Sequence, residues 1–247
     1  MFIDRYEYAN KKPKILIFTG AGISAESGIS TFRDLNGIWE NHNIDQICDI
    51  NTWEKNFKLV HEFYNKRREE LNVVKPNNAH KIIANISNKY DTFVFTQNID
   101  NLLERAGCKE VHHLHGELTK LQCQNCYYKY DIGHTKHDIN NVCPICNSNN
   151  IKPYIVFFGE SAPEYSMLNR ALEYMNDPDT TIIVSGTMGN VIPISKKIDN
   201  YCNSIKILNN LEKSSYINEY QFNYVFYQPA TEAWINIEDI LNKKYKI

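Results

Sequence analysis

Four of the seven cysteines fall into two tight pairs, Cys123/Cys126 and Cys143/Cys146, with sixteen residues between the pairs. The resulting C-x2-C-x16-C-x2-C pattern has the spacing of a tetrahedral structural zinc site. Four thiolates close the coordination shell, so an ion held this way stabilises a fold and has no open position for catalysis. A disulfide pair, or ligation through His134 or His137, is the competing use of the same segment. An odd cysteine count suits a metal in a reducing compartment better than a disulfide framework. Cys48, Cys108 and Cys202 stand apart, and each reads as a small core residue because no activating group accompanies it.

A second cluster begins at Gly20-Ala21-Gly22, where Gly20-x-Gly22-x-x-Ala25 follows an apolar run. This is the spacing of a dinucleotide-binding turn that enters a helix, in which glycines admit a pyrophosphate close to the backbone and helix amides face its charge. Ser24 adds a hydroxyl donor. By itself the turn also fits a tight strand-to-helix connection without a ligand. Unlike an ordinary dehydrogenase, the chain then runs into Thr31-Phe32-Arg33-Asp34 and a long insert, so the dinucleotide is expected to be a substrate held by an unusual loop. Gln97-Asn98-Ile99-Asp100 follows another apolar run. Its amide and carboxylate groups suit a ribose and a carboxamide, or cap the next helix. His115, in His112-His113-Leu114-His115-Gly116-Glu117, precedes the cysteine segment; it is a base if it lines a cleft there, and a hydrogen-bonded core residue otherwise.

The elements that must position these groups are legible from periodicity. Residues 14–19, 92–96, 181–185 and 205–208 read as buried strands. Segments of about residues 53–71, 78–86 and 103–106 read as helices, the second starting just after Pro76. Alternation of the two predicts an α/β fold: a Rossmann-like parallel sheet with helices on both faces, whose ligands collect beyond the carboxyl ends of the strands. Two interruptions, a helical insert at about 36–75 and the cysteine module at about 119–152, would together form a smaller zinc-ribbon and helical part. The larger part would comprise about 1–35, 76–118 and 153–247. Asn147-Ser148-Asn149-Asn150 reads as a loop, and no internal repeat is present.

The chain has 247 residues, 43% of them hydrophobic, which is enough for a substantial core. A formal net charge of -2 argues against a nucleic-acid or anionic-membrane binder, and residues 127–142 carry no basic aromatic stripe. The first residues lack the layout of a signal peptide and no apolar run approaches membrane-spanning length. A soluble, cytoplasmic protein is expected.

Taken in order, GAGIS, TFR, QNID, HLHGE, the paired C-x-x-C, FFGE and a late SGT resemble the sirtuin family over nearly the whole chain. GAGISAESGI, QNIDNLLERAG and FYNKRREEL are most similar to the bacterial CobB-type members, which resemble the desuccinylating class. The resemblance implies an NAD-dependent protein-lysine deacylase. NAD is consumed, nicotinamide leaves, and the acyl group passes from lysine to ADP-ribose. The acyl oxygen attacks the nicotinamide-bearing ribose carbon, and His115 takes a proton from a ribose hydroxyl that then attacks the imidate. Zinc stays outside the chemistry.

The resemblance also assigns residues. Gly20, Ala21, Gly22, Ser24 and Ala25 would hold the dinucleotide, with Phe32 and Arg33 in a loop that closes over it. Gln97, Asn98, Ile99 and Asp100 would shape the nicotinamide and ribose pocket, and Gly186, Thr187, Met188, Asn210, Leu211, Glu212 and Ala230 would surround ribose and adenine. Phe158-Gly159-Glu160 and Gly189-Asn190-Val191 would flank an acyl-lysine peptide lying as an added strand. Tyr64 and Arg67, three apart on a helix, would meet the carboxylate of a succinyl or malonyl chain, for which Ala25 leaves room. Without the resemblance, Lys66, Arg67 and Arg68 read as a solvated basic face. Met188 replaces a frequent serine and Ser30 a frequent proline. Two other functions fit parts of the pattern: an ADP-ribosyltransferase or NAD glycohydrolase using the same pocket, and a non-catalytic zinc-containing binding module.

Overall fold

The computed structural model describes residues 14–29, 44–201 and 203–246. Its main sheet has six strands: β1 (Ile15–Thr19), β2 (Thr92–Thr96), β3 (His112–His113), β7 (Thr181–Ser185), β8 (Ile205–Asn210) and β9 (Tyr224–Tyr227), in the order β3-β2-β1-β7-β8-β9. All neighbours pair in parallel. β1 and β7 are buried along their whole length, as strands covered on both faces must be.

Period-two alternation sorts their side chains onto the two faces. Ile15, Ile17, Val94, Ile183 and Ile207 point to one side, where α4 (Asn78–Lys89) and α8 (Ala230–Tyr245) supply Ile83, Ile86, Trp234 and Ile237. Leu16, Phe18, Phe93, Phe95, Ile182, Val184 and Leu208 point to the other, against α6 (Glu164–Glu173) and α7 (Ile194–Ile198). The expected two-faced parallel sheet is therefore present. Three short helices precede or punctuate these elements: α1 (Gly22–Ala25), α2 (Ile44–Ile47) and α5 (Leu102–Ala106).

A second sheet of three antiparallel strands, β5-β4-β6, is built from β4 (Gly116–Cys123), β5 (Lys129–Asp131) and β6 (Ile151–Ile155). α3 (Phe57–Val73) lies on it. Arg68, which the sequence offered as part of a solvated face, is fully buried there and donates to Leu118 O at 2.7 Å and Asn65 Oδ1 at 2.9 Å. The ring of His61 meets Ile151 O at 2.9 Å. Asn65 exchanges two hydrogen bonds with the His137 backbone. Polar anchors thus fix this helix to the strands that lead into the cysteine segment.

Candidate active site

The strand order reverses between β1 and β7, since the chain builds outward from β1 through β2 and β3 and later from β7 through β8 and β9. Such a switch point opens a crevice at the carboxyl ends of the strands. The loop after β1 meets the loop after β7 there: Gly22 N donates to Gly186 O at 2.9 Å. A Cβ on Gly20 would lie 2.7 Å from Gly186 O, and one on Gly22 2.7 Å from Gly186 Cα. Gly186 has φ +68°, and a Cβ on it would lie 2.6 Å from Ile23 N. The glycines therefore serve the packing of two loops in addition to any ligand. α1, the helix that the glycine turn enters, is only one turn long, and its first amides are engaged within the protein.

Ser24, which the sequence offers as an extra hydroxyl donor, makes contacts inside the protein. It is fully buried, and its hydroxyl donates to Asp100 Oδ2 at 3.0 Å and accepts from Asn98 Nδ2 at 3.1 Å. His80 lies 3.3 Å away through Nε2. The Nδ1 of His80 accepts from Asn77 N in the capping box of α4, so the proton sits on Nε2 and points at Ser24. Burial pushes His80 down to about 4, which keeps it neutral. The hydroxyl is thus spent on joining the β1 and β2 loops. Asp100, also buried, accepts from Leu102 N at 3.0 Å to cap α5, and burial raises its carboxyl above the usual range. Both carboxylate oxygens are thus engaged inside the protein, Oδ1 by Leu102 N and Oδ2 by Ser24 Oγ.

Gln97 joins three loops. Its backbone N–H donates to Thr19 O at 2.9 Å, its side chain to Thr187 Oγ1 at 2.8 Å, and its carbonyl faces His115 Nδ1 at 3.1 Å. A carbonyl only accepts, so Nδ1 carries the imidazole proton and Nε2 carries the lone pair. Burial lowers the pKa of His115, with the Gln97 contact opposing it; the ring is a neutral base. Its lone pair receives the Tyr165 hydroxyl at 2.8 Å. Leu114 N donates to Thr96 O and Val156 N to His115 O, which clamps the backbone on both sides. Gly116, φ +84°, follows because a Cβ there would lie 2.1 Å from Tyr154 O. Asn210 fixes the loop after β7 by exchanging two hydrogen bonds with the Thr187 backbone at 3.0 and 2.9 Å.

In the cysteine segment all four Sγ atoms lie within 4.8 Å of one another, with Cys123–Cys146 at 3.5 Å and Cys126–Cys143 at 3.6 Å. A tetrahedral zinc with bonds of about 2.3 Å requires sulfur separations of about 3.8 Å. The two pairs repeat one geometry: Tyr127 N donates to Cys123 O and Asn147 N to Cys143 O, and Tyr127 and Asn147 both take positive φ. The four cysteines therefore fit a structural zinc ion. His134 and His137 lie outside the group.

The Sir2 family model matches residues 20–193, and a protein of Helicobacter hepaticus named NAD-dependent protein deacylase is 42% identical across 94% of this chain and 98% of its own length. The chain belongs to the Sir2 family. A Campylobacter jejuni protein of the same name is 41% identical over 94% of this chain and 93% of its own. A solved structure described as a Sir2 homolog–NAD complex has a TM-score of 0.79 at 29% identity, covering 97% of this chain and 95% of that one.

In this Sir2 chain the remaining positions are distributed unevenly. Phe32 and Arg33 lie outside the described residues, as does Cys202. Leu211, Asn190 and Val191 are exposed, Glu212 is at the surface, and Ala230 is buried at the start of α8. Ala21, Ala25 and Ile99 are half-buried, and Met188 O accepts from Ser214 Oγ at 2.6 Å. Phe158 gives its backbone to the 48–50 segment, accepting from Ile50 N and donating to Cys48 O, and leaves its ring exposed. Gly159 turns at φ +83°. Glu160 faces inward: it pairs with Lys152 at 2.8 Å and accepts from Phe157 N at 2.6 Å. Lys152 is a buried lysine, 4.0 Å above the Phe157 ring, and no spacing rule pointed to it.

Tyr64 is buried, stacked on Phe157, with its hydroxyl 2.9 Å from Cys48 Sγ. Arg67 pairs with Glu70 at 3.0 Å and its guanidinium lies over the Phe63 ring. Tyr64 and Arg67 thus share a helix, with their polar ends held by different partners. Burial pushes the thiols of Cys48 and Cys108 up to about 11, which agrees with core roles for both.

Proposed function

We propose that this Sir2 chain is an NAD-dependent protein-lysine deacylase that uses His115 as its base. The observation that carries the proposal is the placement of that imidazole: its Nδ1 faces Gln97 O, which leaves the lone pair on Nε2, burial lowers its pKa, and Gln97 in turn bonds to the loops after β1 and β7. That is the protonation state a general base needs near neutral pH. The names of the relatives from Helicobacter hepaticus and Campylobacter jejuni agree with it.

In this reading the acyl oxygen of the lysine amide bonds to the ribose carbon of NAD, and nicotinamide leaves with the electron pair of its bond. A ribose hydroxyl then gives its proton to His115 Nε2 and its oxygen adds to the acyl carbon. Addition of water frees the lysine amine and leaves the acyl group as an ester on ADP-ribose. Gln97, Asn98 and Asp100 shape the wall of the pocket, the Gly20–Ala25 and Gly186–Met188 loops hold the nucleotide, and the exposed rim at Phe158 and Val191 receives the peptide. Zinc on Cys123, Cys126, Cys143 and Cys146 would tie the two cysteine pairs together and stay outside the reaction. Among the described residues no helix is long and apolar enough to cross a membrane, and four closely grouped thiols suit the reducing cytoplasm.

Acyl choice extends to succinyl and malonyl groups in this proposal, with Arg67 as the cation that meets their carboxylate. Its Nε lacks a hydrogen-bond partner, and a carboxylate can exchange with Glu70 for the guanidinium. The test is incubation of the purified protein and NAD with acetyl, malonyl, succinyl and longer acyl-lysine peptides, read by mass spectrometry. Loss of acetyl and of succinyl groups is expected; an unchanged set of peptides overturns the proposal.

A further inference from the structure

Tyr165 stands in the first turn of α6, five residues beyond Glu160, and its hydroxyl lies 2.8 Å from His115 Nε2. The other ring nitrogen already gives its proton to Gln97 O, so the phenol is the donor and Nε2 the acceptor. The rings are tilted at 49° with centroids 6.0 Å apart, a side-on approach in which the hydroxyl reaches the lone pair. Half-burial raises the pKa of Tyr165, and the proton stays on the phenol. The lone pair that a substrate hydroxyl must reach is therefore occupied in the resting protein.

The neighbouring residue makes a parallel contact. Glu164 Oε2 lies 3.6 Å from His112 Nδ1, so two successive residues of α6 clasp two histidines of the segment that carries the base. Between the proposed peptide rim at Phe158–Glu160 and this clasp run only Ser161, Ala162 and Pro163 before Glu164. Tyr165 N and Ser166 N donate to Ala162 O and Pro163 O, which makes the start of α6 continuous with that link. The proposed peptide rim and Tyr165 therefore belong to one short segment.

We propose that Tyr165 is a positioning residue for His115: in the free protein it holds the aim of the imidazole, whose tautomer Gln97 O sets, and it yields Nε2 to the ribose hydroxyl when the acyl-lysine peptide and NAD are both seated. The inference rests on the deacylase reading of His115. Its consequence is a base withheld until both substrates are present. The contact favours the neutral ring, because a donor on Nε2 competes with protonation there. The groups facing the ring are Gln97 O and the Tyr165 hydroxyl, with His112 and Glu164 in the adjoining pair and His113 and Glu104 beyond Leu114.

Tyr165→Phe removes one oxygen and keeps the packing. Titration of 15N-histidine-labelled protein by NMR, with His115 assigned by comparison with His115→Gln, is expected to show the His115 pKa rising by about half a unit to one unit in Tyr165→Phe. In kinetics, the acid limb of kcat/KM moves up in pH by the same amount while the acid limb of kcat stays in place, because kcat/KM reports the free enzyme and kcat the complex. KM for NAD falls by about two- to fivefold, since no internal donor has to be displaced. A His115 titration that does not move in the variant overturns the proposal. So does a kcat limb that shifts together with kcat/KM, which would mean that the contact survives in the complex. Turnover by the wild-type protein, measured alongside, tests the deacylase reading separately: the NMR titration reads the contact even in a protein that turns nothing over.

Discussion

The Glu104 carboxylate lies 2.6 Å from Nε2 of His113, whose Nδ1 faces the Asn98 carbonyl at 2.8 Å. Both ring nitrogens meet acceptors, a geometry that the doubly protonated imidazolium satisfies. Burial alone would depress His113, but the hydrogen bond and charge of Glu104, with help from Glu117 and Asn98, raise its pKa above the ordinary value. Through Nδ1 this ring is tied to the backbone of the Gln97–Asp100 turn.

Linkage gives a sign to this pair. A histidine pKa raised by folding contributes stability that is complete below the unfolded value of about 6.5 and is lost as pH rises through the folded value. Glu104→Gln should therefore be less stable than wild type near pH 6, by about 1 kcal/mol given the partial exposure of Glu104, and the gap should close toward alkaline pH. Urea unfolding of both proteins at several pH values measures it. A gap that is constant or widens with pH contradicts the assignment.

Gly186→Ala tests the loop packing at the switch point. The new Cβ would meet Ile23 N at 2.6 Å in a backbone at φ +68°, with an expected loss of about 2–4 kcal/mol. KM for NAD should rise with it, because the same shift spreads the loops after β1 and β7. Thermal unfolding and NAD-dependent kinetics read the two effects; a variant as stable as wild type would show that the loops separate freely.

Metal analysis should find one zinc per chain, absent in Cys126→Ser. Chelation should lower Tm by more than about 10 °C, since metal binding in such a site is folding free energy. Replacement by cobalt should restore both stability and turnover, as expected of an ion outside the chemistry. Restored stability with lost turnover would place the metal in the reaction.

The strands, the parallel sheet and the cysteine quartet were legible in the sequence because each is written locally: Leu16-Ile17-Phe18 and Ile182-Ile183-Val184 are buried runs, and thiolate spacing constrains its own ion. The hubs were not. Ser24, His80, Asn98 and Asp100 are separated by up to 76 residues, and only the topology that sets β1 beside β2 brings the Asn98 amide and the Ser24 hydroxyl, which read separately in the sequence, into one network. Arg68 and Lys152 were hidden for a related reason. A charge reads as solvent-facing until the carbonyl of Leu118 or the carboxylate of Glu160 is known to wait for it. β3 and β9 escaped notice because they are short or half-exposed edge strands, without the apolar run that marks a central one.

Arg67→Met should lower kcat/KM for succinyl-lysine peptide by about tenfold or more and leave acetyl-lysine within about twofold, because only the former loses a charge-assisted contact. Parallel kinetics with the two peptides decides it. Equal losses would show that Arg67 supports the helix through Glu70 and Phe63 and leaves acyl choice to other groups.

His115 is proposed as the base of a reaction that consumes NAD to strip an acyl group from lysine. The most direct measurement is the molar ratio of nicotinamide released to lysine peptide unmasked, followed by mass spectrometry for wild type and His115→Tyr. A ratio near one for wild type, with sustained turnover beyond the first release of nicotinamide falling by at least about a hundredfold in the variant, is the predicted result. Nicotinamide released by the wild type without unmasked lysine, or sustained turnover unchanged in His115→Tyr, would contradict it.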